Sequence, residues 1–465
     1  MRTLYYLIPV FLLTFFTTSK NTLAQEQTSS FNFDNSFTSL SLMDSTSYLT
    51  GALGITRIGG QNYAGMRFQP ELNLGKIGFG LDIPLYFNLD NGNFYSDEFK
   101  KDAGVLRLIS YFRYGRKKQD PVFFKIGELK GERIGYGSLV NNYSNSVSFE
   151  NRKVGFTYDI IVKKTFGVEG LYSDFNLESF NLFAIRPYVR PFGQSDIPVI
   201  KTLDFGFTFV KDKDHTARYS GTEEKNEFLS DGMSAWGWDM GITLINSSFI
   251  NLAAYMQYSK LNKVKSDSLA AFYATTPPTQ GHDSGDGFGM GLNANMNVIG
   301  NVFRLNARIE RLWYSSNYLP QFFDAIYEVN KDAKILALGD AQKKQGIYGS
   351  VTASFIDKIL IGGNLMLPDN VSETTPALLQ LNLRTQDLFD KIIIEGSYTK
   401  GNLTRVSDAL KFDSSSLALM RFAYKINPFL VTGVDYRWTW IQGSDGNFRA
   451  DNMVTPYVAF RLPLN

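Results

Sequence analysis

The sequence contains no cysteine, which excludes disulfide bonds, thiolate metal sites, attachment of c-type haem and lipidation of an N-terminal Cys. Only two histidines occur in 465 residues, which restricts nucleophilic catalysis. Beyond the first residues no apolar run approaches the roughly twenty residues of a transmembrane helix, which excludes an α-helical membrane protein. The net charge of +2 does not favour a nucleic-acid partner. P-loop, G-x-S-x-G and H-E-x-x-H motifs are also absent.

The N-terminal residues predict a signal peptide. Arg2 precedes an apolar run, Leu4–Phe16, and small residues lie three and one positions before a cut at Gln25. The run is too short to span a membrane. We therefore expect residues 1–24 to be removed and the chain to leave the cytoplasm.

The stretch Asp286–Trp313 has the clearest pattern, because its apolar residues recur at every second position. The alternating apolar residues are Phe288, Met290, Leu292, Ala294, Met296, Val298, Phe303, Leu305, Ala307 and Ile309. A period of two on both sides of a turn at Ile299–Asn301 predicts a β-hairpin with one apolar and one polar face. Each arm alternates over about ten residues, which is longer than most soluble strands and close to the length that crosses a bilayer.

The same alternation recurs after Ser47 in about twenty segments, with eighteen as an acceptable alternative. Short connections alternate with long ones along the chain. The short ones are Gly75-Lys76, Lys163–Thr165, Asn246–Ser248, Ile299–Asn301, Asp357-Lys358 and Asn427-Pro428, and the long ones are Asn88–Asp102, Gly131–Asn145, Lys211–Met233, Lys260–Gly285, Tyr314–Lys344 and Lys400–Ser414. Outer-membrane barrels have such an arrangement, with short turns on one side and long loops on the other. The aromatic content of 15% agrees with girdles at both membrane interfaces.

The last strand alternates from Val454 to Leu464, and at this point the chain resembles bacterial outer-membrane β-barrel proteins of the porin-like class. The resemblance implies an all-β, antiparallel, up-and-down transmembrane barrel of about 18–20 strands, integral to the outer membrane of a diderm bacterium. It also implies contact with outer-membrane lipid and with the barrel-assembly machinery, although the terminal Leu464-Asn465 departs from the usual aromatic end. The expected organisation is a signal peptide (1–24), a periplasmic segment or plug (25–47) and a barrel (48–465).

If the apolar face meets lipid, the opposite face lines a lumen. The predicted pore-lining residues are Arg67, Glu71, Asp82, Arg107, Arg113, Arg186, Arg190, Asp239, Arg304, Arg308, Glu310, Arg384, Asp435 and Arg437. The same face carries Lys125, Asp159, Glu169, Asp204, Glu395, Arg421, Lys425 and Arg461, which brings the total to about 13 basic and 9 acidic side chains. Most of these charges are expected to pair across strands. We expect Arg186, Arg190, Arg304 and Arg308 together to exceed the local acids and to favour anions.

Two long connections bear on the width of the lumen. The loop Gly131–Asn145 is rich in Gly, Asn and Tyr, and it suits either a constriction folded into the lumen or an exposed surface loop. In Tyr314–Lys344, a helix beginning at Pro320 would place Phe322, Phe323, Ile326 and Tyr327 on one face, against the barrel mouth or a partner. Residues 25–47 are a further candidate plug.

The function that these features favour is passive diffusion of small hydrophilic solutes, with mild anion preference and without cofactor, metal or catalysis. The alternative is a non-conducting barrel within a larger envelope complex or a self-associating one, in which the pairs Trp236/Trp238 and Trp438/Trp440 contact a neighbour. A second alternative rests on His282-Asp283-Ser284, which resembles the His-x-Ser arrangement of outer-membrane phospholipases. The same run also reads as an ordinary acidic turn, and it lacks the spacing of a calcium-binding loop.

Overall fold

The computed structural model describes residues 47–58, 61–95, 108–145, 153–175, 181–213, 232–275, 283–299, 302–324, 327–329, 331–356, 358–372, 376–385, 388–389, 391–413, 415–442 and 448–464. The predicted signal peptide and nearly all of the segment 25–47 lie outside these residues, as do Arg107, His215 and His282.

The described residues form 21 antiparallel strands in one sheet. The strands are β1 Ser47–Ile58, β2 Gln61–Leu74, β3 Ile77–Leu81, β4 Ile83–Asn88, β5 Ile109–Tyr114, β6 Val122–Gly127, β7 Gly155–Val162, β8 Phe166–Tyr172, β9 Phe183–Val189, β10 Asp204–Asp212, β11 Met233–Asn246, β12 Ile250–Leu261, β13 Gly285–Ile299, β14 Phe303–Tyr314, β15 Lys344–Phe355, β16 Ile359–Pro368, β17 Ala377–Thr385, β18 Ile392–Leu403, β19 Ser416–Asn427, β20 Leu430–Gln442 and β21 Phe448–Leu464.

The sheet closes on itself, because β1 pairs with β2 on one edge and with β21 on the other. Strands β3 and β4 both pair with β2 and are the two halves of one strand that is interrupted at Asp82. Every other strand pairs with its neighbours in sequence, so the described sheet has twenty positions around the barrel. The predicted antiparallel, up-and-down barrel and its strand number are confirmed.

Alternation along the strands separates an apolar outer face from a polar inner face. On β10 and β11, Phe207 and Trp238 are paired and exposed, whereas Thr208 and Asp239 are buried. Exposed apolar side chains continue around the barrel, for example Met290, Ile309, Ile347, Val351, Ile361 and Phe422. An apolar band of this extent is far larger than the patches that soluble monomers expose and matches the lipid-facing belt of a membrane barrel. The protein is therefore an integral outer-membrane barrel.

Most connections follow the predicted alternation of lengths, whereas residues 190–203, between β9 and β10, form a long connection on the short-turn side. Two-residue and three-residue turns join β2 to β3 and β7 to β8, and Gly75 adopts a positive φ of 60° in the first of them. The longest connections on the opposite side carry two helices, α1 Asp267–Thr275 and α2 Lys331–Asp340. No helix in the described part of the chain has the length and apolar character needed to cross a membrane. Ser47 pairs with Leu464, so both ends of the described barrel lie on the short-turn side.

Candidate functional site

The loop between β6 and β7 folds into the barrel. Leu129, Val140 and Tyr143 of this loop are completely buried. The loop is closed at its base, where the Leu129 amide donates to Asn145 Oδ1 at 2.8 Å and the Asn145 amide donates to the Leu129 carbonyl at 3.2 Å. Of the two alternatives for Gly131–Asn145, the structure supports the loop folded into the lumen.

The tip of this loop rests on the inner wall. The Tyr136 hydroxyl donates to Asp204 Oδ1 at 2.9 Å, and its ring stacks on Tyr255 with centroids 4.7 Å apart. Arg308 donates to the Tyr136 carbonyl at 2.9 Å, and the Gly135 amide donates to Glu169 Oε1 at 3.1 Å. Burial, followed by the nearby Asp204 charge, raises the pKa of the Tyr136 phenol, which therefore stays a neutral hydrogen-bond donor. The tip thus contacts four wall strands, β8, β10, β12 and β14.

Arg186 organises the wall beneath the tip. Its guanidinium lies 3.0 Å from Glu169 Oε1 and 3.6 Å from Asp204 Oδ2, and its Nε donates to Asp239 Oδ2 at 2.8 Å. The side chain is 1% exposed, so three carboxylates neutralise one buried cation. Gly206 makes room for it, because a Cβ at that position would overlap the guanidinium.

Arg308 is held in a similar way. Its NH2 donates to Glu310 Oε1 at 2.8 Å, its Nε donates to the Tyr255 hydroxyl at 2.6 Å, and Gln257 donates to the same Glu310 oxygen at 2.9 Å. The expectation that Arg186 and Arg308 belong to an unneutralised cationic set is therefore wrong. The acids that pair with Arg186 come from strands on both sides of its own, and local spacing in the sequence does not bring them together.

A second ionic group lies where the loop meets the connection between β5 and β6. Lys117 Nζ lies 3.0 Å from Glu132 Oε2, and Lys125 Nζ lies 3.9 Å from Glu132 Oε1. Burial alone would raise the pKa of Glu132, but the charges of Lys117 and Lys125 outweigh it and hold that pKa below its usual value. Lys118 extends the group to Glu169 at 2.8 Å. Glu132 is therefore an anionic anchor of the loop.

The connection between β14 and β15 joins the infolded loop. Phe323 forms a parallel bridge with Val140, and Asn141 Nδ2 donates to Gln321 Oε1 at 3.0 Å. Phe322, Phe323 and Tyr327 are completely buried in the same apolar cluster as Val140, which supports the alternative that this connection packs against the barrel. The helix expected at Pro320 is wrong, since residues 321–324 are irregular and α2 begins at Lys331.

Buried charges fasten these two connections to the wall. Lys331 Nζ lies 2.8 Å from Asp212 Oδ2 and 3.3 Å from Glu328 Oε2, and Lys153 Nζ lies 2.7 Å from the same Glu328 oxygen. Two lysines thus balance two carboxylates where water is excluded. We call the joined segments 128–145, 315–324, 327–329 and 331–343 the interior partition. Its hydrogen bonds and ion pairs reach wall strands from β6 to β14.

The interior partition covers the side chains of the opposite wall, β17–β19, less than it covers those around Arg186. Glu395 lies between two arginines, with Arg384 Nε and Arg421 NH1 each 3.1 Å from its carboxylate. The exposed fractions of these side chains are 29% for Arg384, 31% for Glu395 and 44% for Arg421, against 1% for Arg186. The side chains of this group are therefore far more accessible from the lumen than Arg186 is.

The remaining predicted pore residues are distributed as follows. Asp82 and Arg113 are buried, and Arg113 donates to the Gly115 carbonyl and to Asn73, whereas Glu71, Arg190 and Arg304 are partly buried. The side chains of Arg67, Asp435 and Arg437 lie outside the described part of the structure. The pattern of the sequence missed Tyr136, Lys117 and Lys118, because residues in connections carry no period that tells where they point.

Of the run His282-Asp283-Ser284, the structure describes only Asp283 and Ser284. Ser284 precedes β13, and its hydroxyl accepts a hydrogen bond from the Lys263 amide at 3.0 Å. His282 lies outside the described residues. Within the ranges described above, no group of three or more His, Cys, Asp or Glu side chains is placed to hold a metal ion.

No family model matches the chain, and no curated protein matches its sequence. Among solved structures, Pseudomonas aeruginosa OccK5 (OpdH) is 14% identical, with 90% of this chain and 98% of that chain covered and a TM-score of 0.36. P. aeruginosa OccK2 (OpdF), solved with glucuronate, is 10% identical over 91% and 99%, with a TM-score of 0.34. A Rhodopseudomonas blastica porin is 9% identical over 90% and 99%, with a TM-score of 0.27. The closed antiparallel sheet and its apolar outer face give the described part of the chain the fold of an outer-membrane β-barrel.

Proposed function

We propose that the protein is a channel for passive diffusion of small hydrophilic solutes across the outer membrane, with a mild preference for anions. A barrel of twenty strands is too wide for wall side chains alone to fill, so its conductance depends on what lies inside it. The interior partition narrows one half, and solutes pass along the wall of β17–β19. Small hydrophilic solutes then contact a polar surface. Their passage makes and breaks no covalent bond.

The observation that carries the proposal is the contrast between the two halves of the wall. Arg186 and Arg308 are buried and neutralised, so they hold the partition in place. Arg384 and Arg421 are accessible, and each lies 3.1 Å from the carboxylate of Glu395. A planar guanidinium binds carboxylate or phosphate oxygens through two parallel hydrogen bonds, which favours anions at this wall.

The test is single-channel recording of the refolded protein in a planar bilayer with a salt gradient. Stable open steps with a reversal potential biased towards the anion are expected. A reversal potential biased towards the cation at low salt would remove the anion preference. A folded and inserted barrel without conductance would replace the channel by the alternative of a non-conducting subunit.

A further inference from the structure

The long connection between β9 and β10, residues 190–203, packs against the turn between β7 and β8. The Arg190 amide donates to the Thr165 carbonyl at 2.6 Å. A Cβ at Gly193 would overlap the Lys164 carbonyl, so the two backbones are in direct contact there. The two connections therefore form one continuous surface at the short-turn end of the barrel.

This surface is both apolar and cationic. We call its exposed apolar and lysine side chains the basic platform, which consists of Phe192, Ile197, Val199, Lys163, Lys164 and Lys201. Asp196 is the only acidic residue in 163–165 and 190–203, and Arg190 adds a partly buried fourth cation. Within the described part of the chain, no ion pair neutralises the three lysines. The platform therefore carries a net positive charge.

The lysines distinguish this surface from other turns at the same end. Apolar side chains are exposed at several of those turns, for example Phe249 and Ile356. Lys163 and Lys164, however, both have a positive φ, of 50° and 58°. A two-residue hairpin turn with this backbone favours Asn and Gly, because a Cβ is disfavoured in the left-handed region. The two lysines thus contribute charge at positions that their backbone preference does not favour.

Residues 25–46, which lie outside the described residues, have the complementary composition. They contain Glu26, Asp34 and Asp44 but no lysine, arginine or histidine. Phe31 and Phe33 lie beside Asp34 in sequence, so aromatic and acidic groups occur together. A segment of this kind matches a surface that combines exposed apolar groups with lysines.

The segment is attached at the same end of the barrel and is long enough to reach the platform. It leads to Ser47, which pairs with Leu464 at the short-turn end. Seven positions around the barrel separate β1 from β9, about 45 Å at a strand spacing of about 4.8 Å and a tilt of about 40°. The fourteen residues between Phe33 and Ser47 extend to about 46–50 Å.

We infer that residues 25–46 dock on the basic platform of their own barrel. Phe31 and Phe33 pack on its apolar side chains, and Glu26 and Asp34 lie beside its lysines. Of the two expectations for this segment, the inference favours a periplasmic segment at the rim over a plug in the lumen. It does not depend on whether the barrel conducts.

The experiment is disulfide cross-linking in the refolded protein, residues 25–465, which has no cysteine of its own. Phe33→Cys/Ile197→Cys is expected to form an internal disulfide at least about tenfold faster than Phe33→Cys/Ile356→Cys, because the tether alone gives both sites a similar effective concentration. Ile356 is the matched control, since it is 65% exposed against 60% for Ile197 and lies beside β16, six positions from β1 in the other direction. Heat-modifiable migration on a gel shows that each variant is folded.

Charge reversal tests the role of the lysines. Adding Lys163→Glu/Lys164→Glu to the Ile197 pair is expected to slow cross-linking about tenfold, and the further change Asp34→Lys is expected to restore part of the rate. Both effects should shrink at high salt because of screening.

Four results would overturn the inference. Two are equal cross-linking rates at Ile197 and Ile356, and a rate that charge reversal leaves unchanged. Disulfides between two molecules instead of within one would assign the platform to a second copy of the chain. Slow cross-linking at both sites, with Ile197→Cys protected from a water-soluble maleimide in liposomes but not in detergent, would assign its apolar side chains to lipid.

Discussion

The rings of Tyr136 and Tyr255 are parallel within 4° and lie 4.7 Å apart, so that a loop from β6–β7 is stacked on strand β12 across the interior. Offset stacking of aromatic rings contributes about 0.5–1.5 kcal/mol beyond the area that it buries. Together with the hydrogen bonds to Asp204 and Arg308, this contact sets where the tip of the loop sits. The following predictions test its consequences and those of the charges around it.

The variant Gly241→Ala is expected to displace the tip. A Cβ at Gly241 would overlap the Tyr136 hydroxyl, which is the far end of a side chain and can move, so the barrel stays folded while the loop shifts. We expect a changed single-channel conductance and a loss of stability of about 1–3 kcal/mol. Gly349→Ala is the matched control, because a Cβ there meets no atom within 4 Å. Equal conductance in both variants would contradict the contact.

Removing the central cation of the wall is expected to be far more damaging than removing an outer one. Arg186→Met leaves Glu169, Asp204 and Asp239 without their shared partner, which costs about 3–5 kcal/mol for a buried charge group. Arg311→Ala breaks an exposed pair with Asp369, worth about 0–1 kcal/mol. Unfolding in urea, followed by tryptophan fluorescence, measures both. Similar midpoints for the two variants would show that Arg186 does not hold the wall.

Acid is expected to loosen the interior partition through Glu132. Its pKa is lowered in the folded protein, so its contribution to stability is complete above about pH 4.5 and is lost as the pH falls through the lowered pKa. Recordings between about pH 7 and 3 should therefore show a constant conductance that becomes noisy or larger only in acid. Glu132→Gln should behave at neutral pH as the parent does in acid. An identical pH profile in the two proteins would exclude Glu132 as the anchor.

The anion preference is expected to depend on the exposed arginines. Arg421→Ala removes one accessible positive charge from this part of the wall and leaves Arg384 beside Glu395. We expect the reversal potential in a salt gradient to move towards cation preference, with a shift that shrinks at high salt because of screening. Arg311→Ala, which removes an arginine from the outer face, is the control. An unchanged reversal potential in Arg421→Ala would place the selectivity elsewhere.

The strands could be predicted from the sequence because a period of two is a local property, visible in Asp286–Trp313 without any knowledge of neighbours. The ion-pair partners of the charged side chains on the inner face could not be predicted from the sequence. Glu169 and Arg186 face each other only because β8 and β9 pair in one register, and Asp239 reaches the same guanidinium from two strands away. The positions of the loops are harder still to predict, because the place where Tyr136 packs and the bridge between Phe323 and Val140 depend on the closed barrel.

The bridge between Val140 and Phe323 also constrains the order in which the protein folds. Asn141 and Gln321 beside it are 180 residues apart, whereas every wall pairing except the closing pair β1–β21 joins strands that are close in sequence. Contacts of such long separation form late, because the intervening chain must first be ordered. The interior partition is therefore expected to assemble after β7–β14 have paired. Until then, the lumen of the assembling barrel does not yet contain the interior partition.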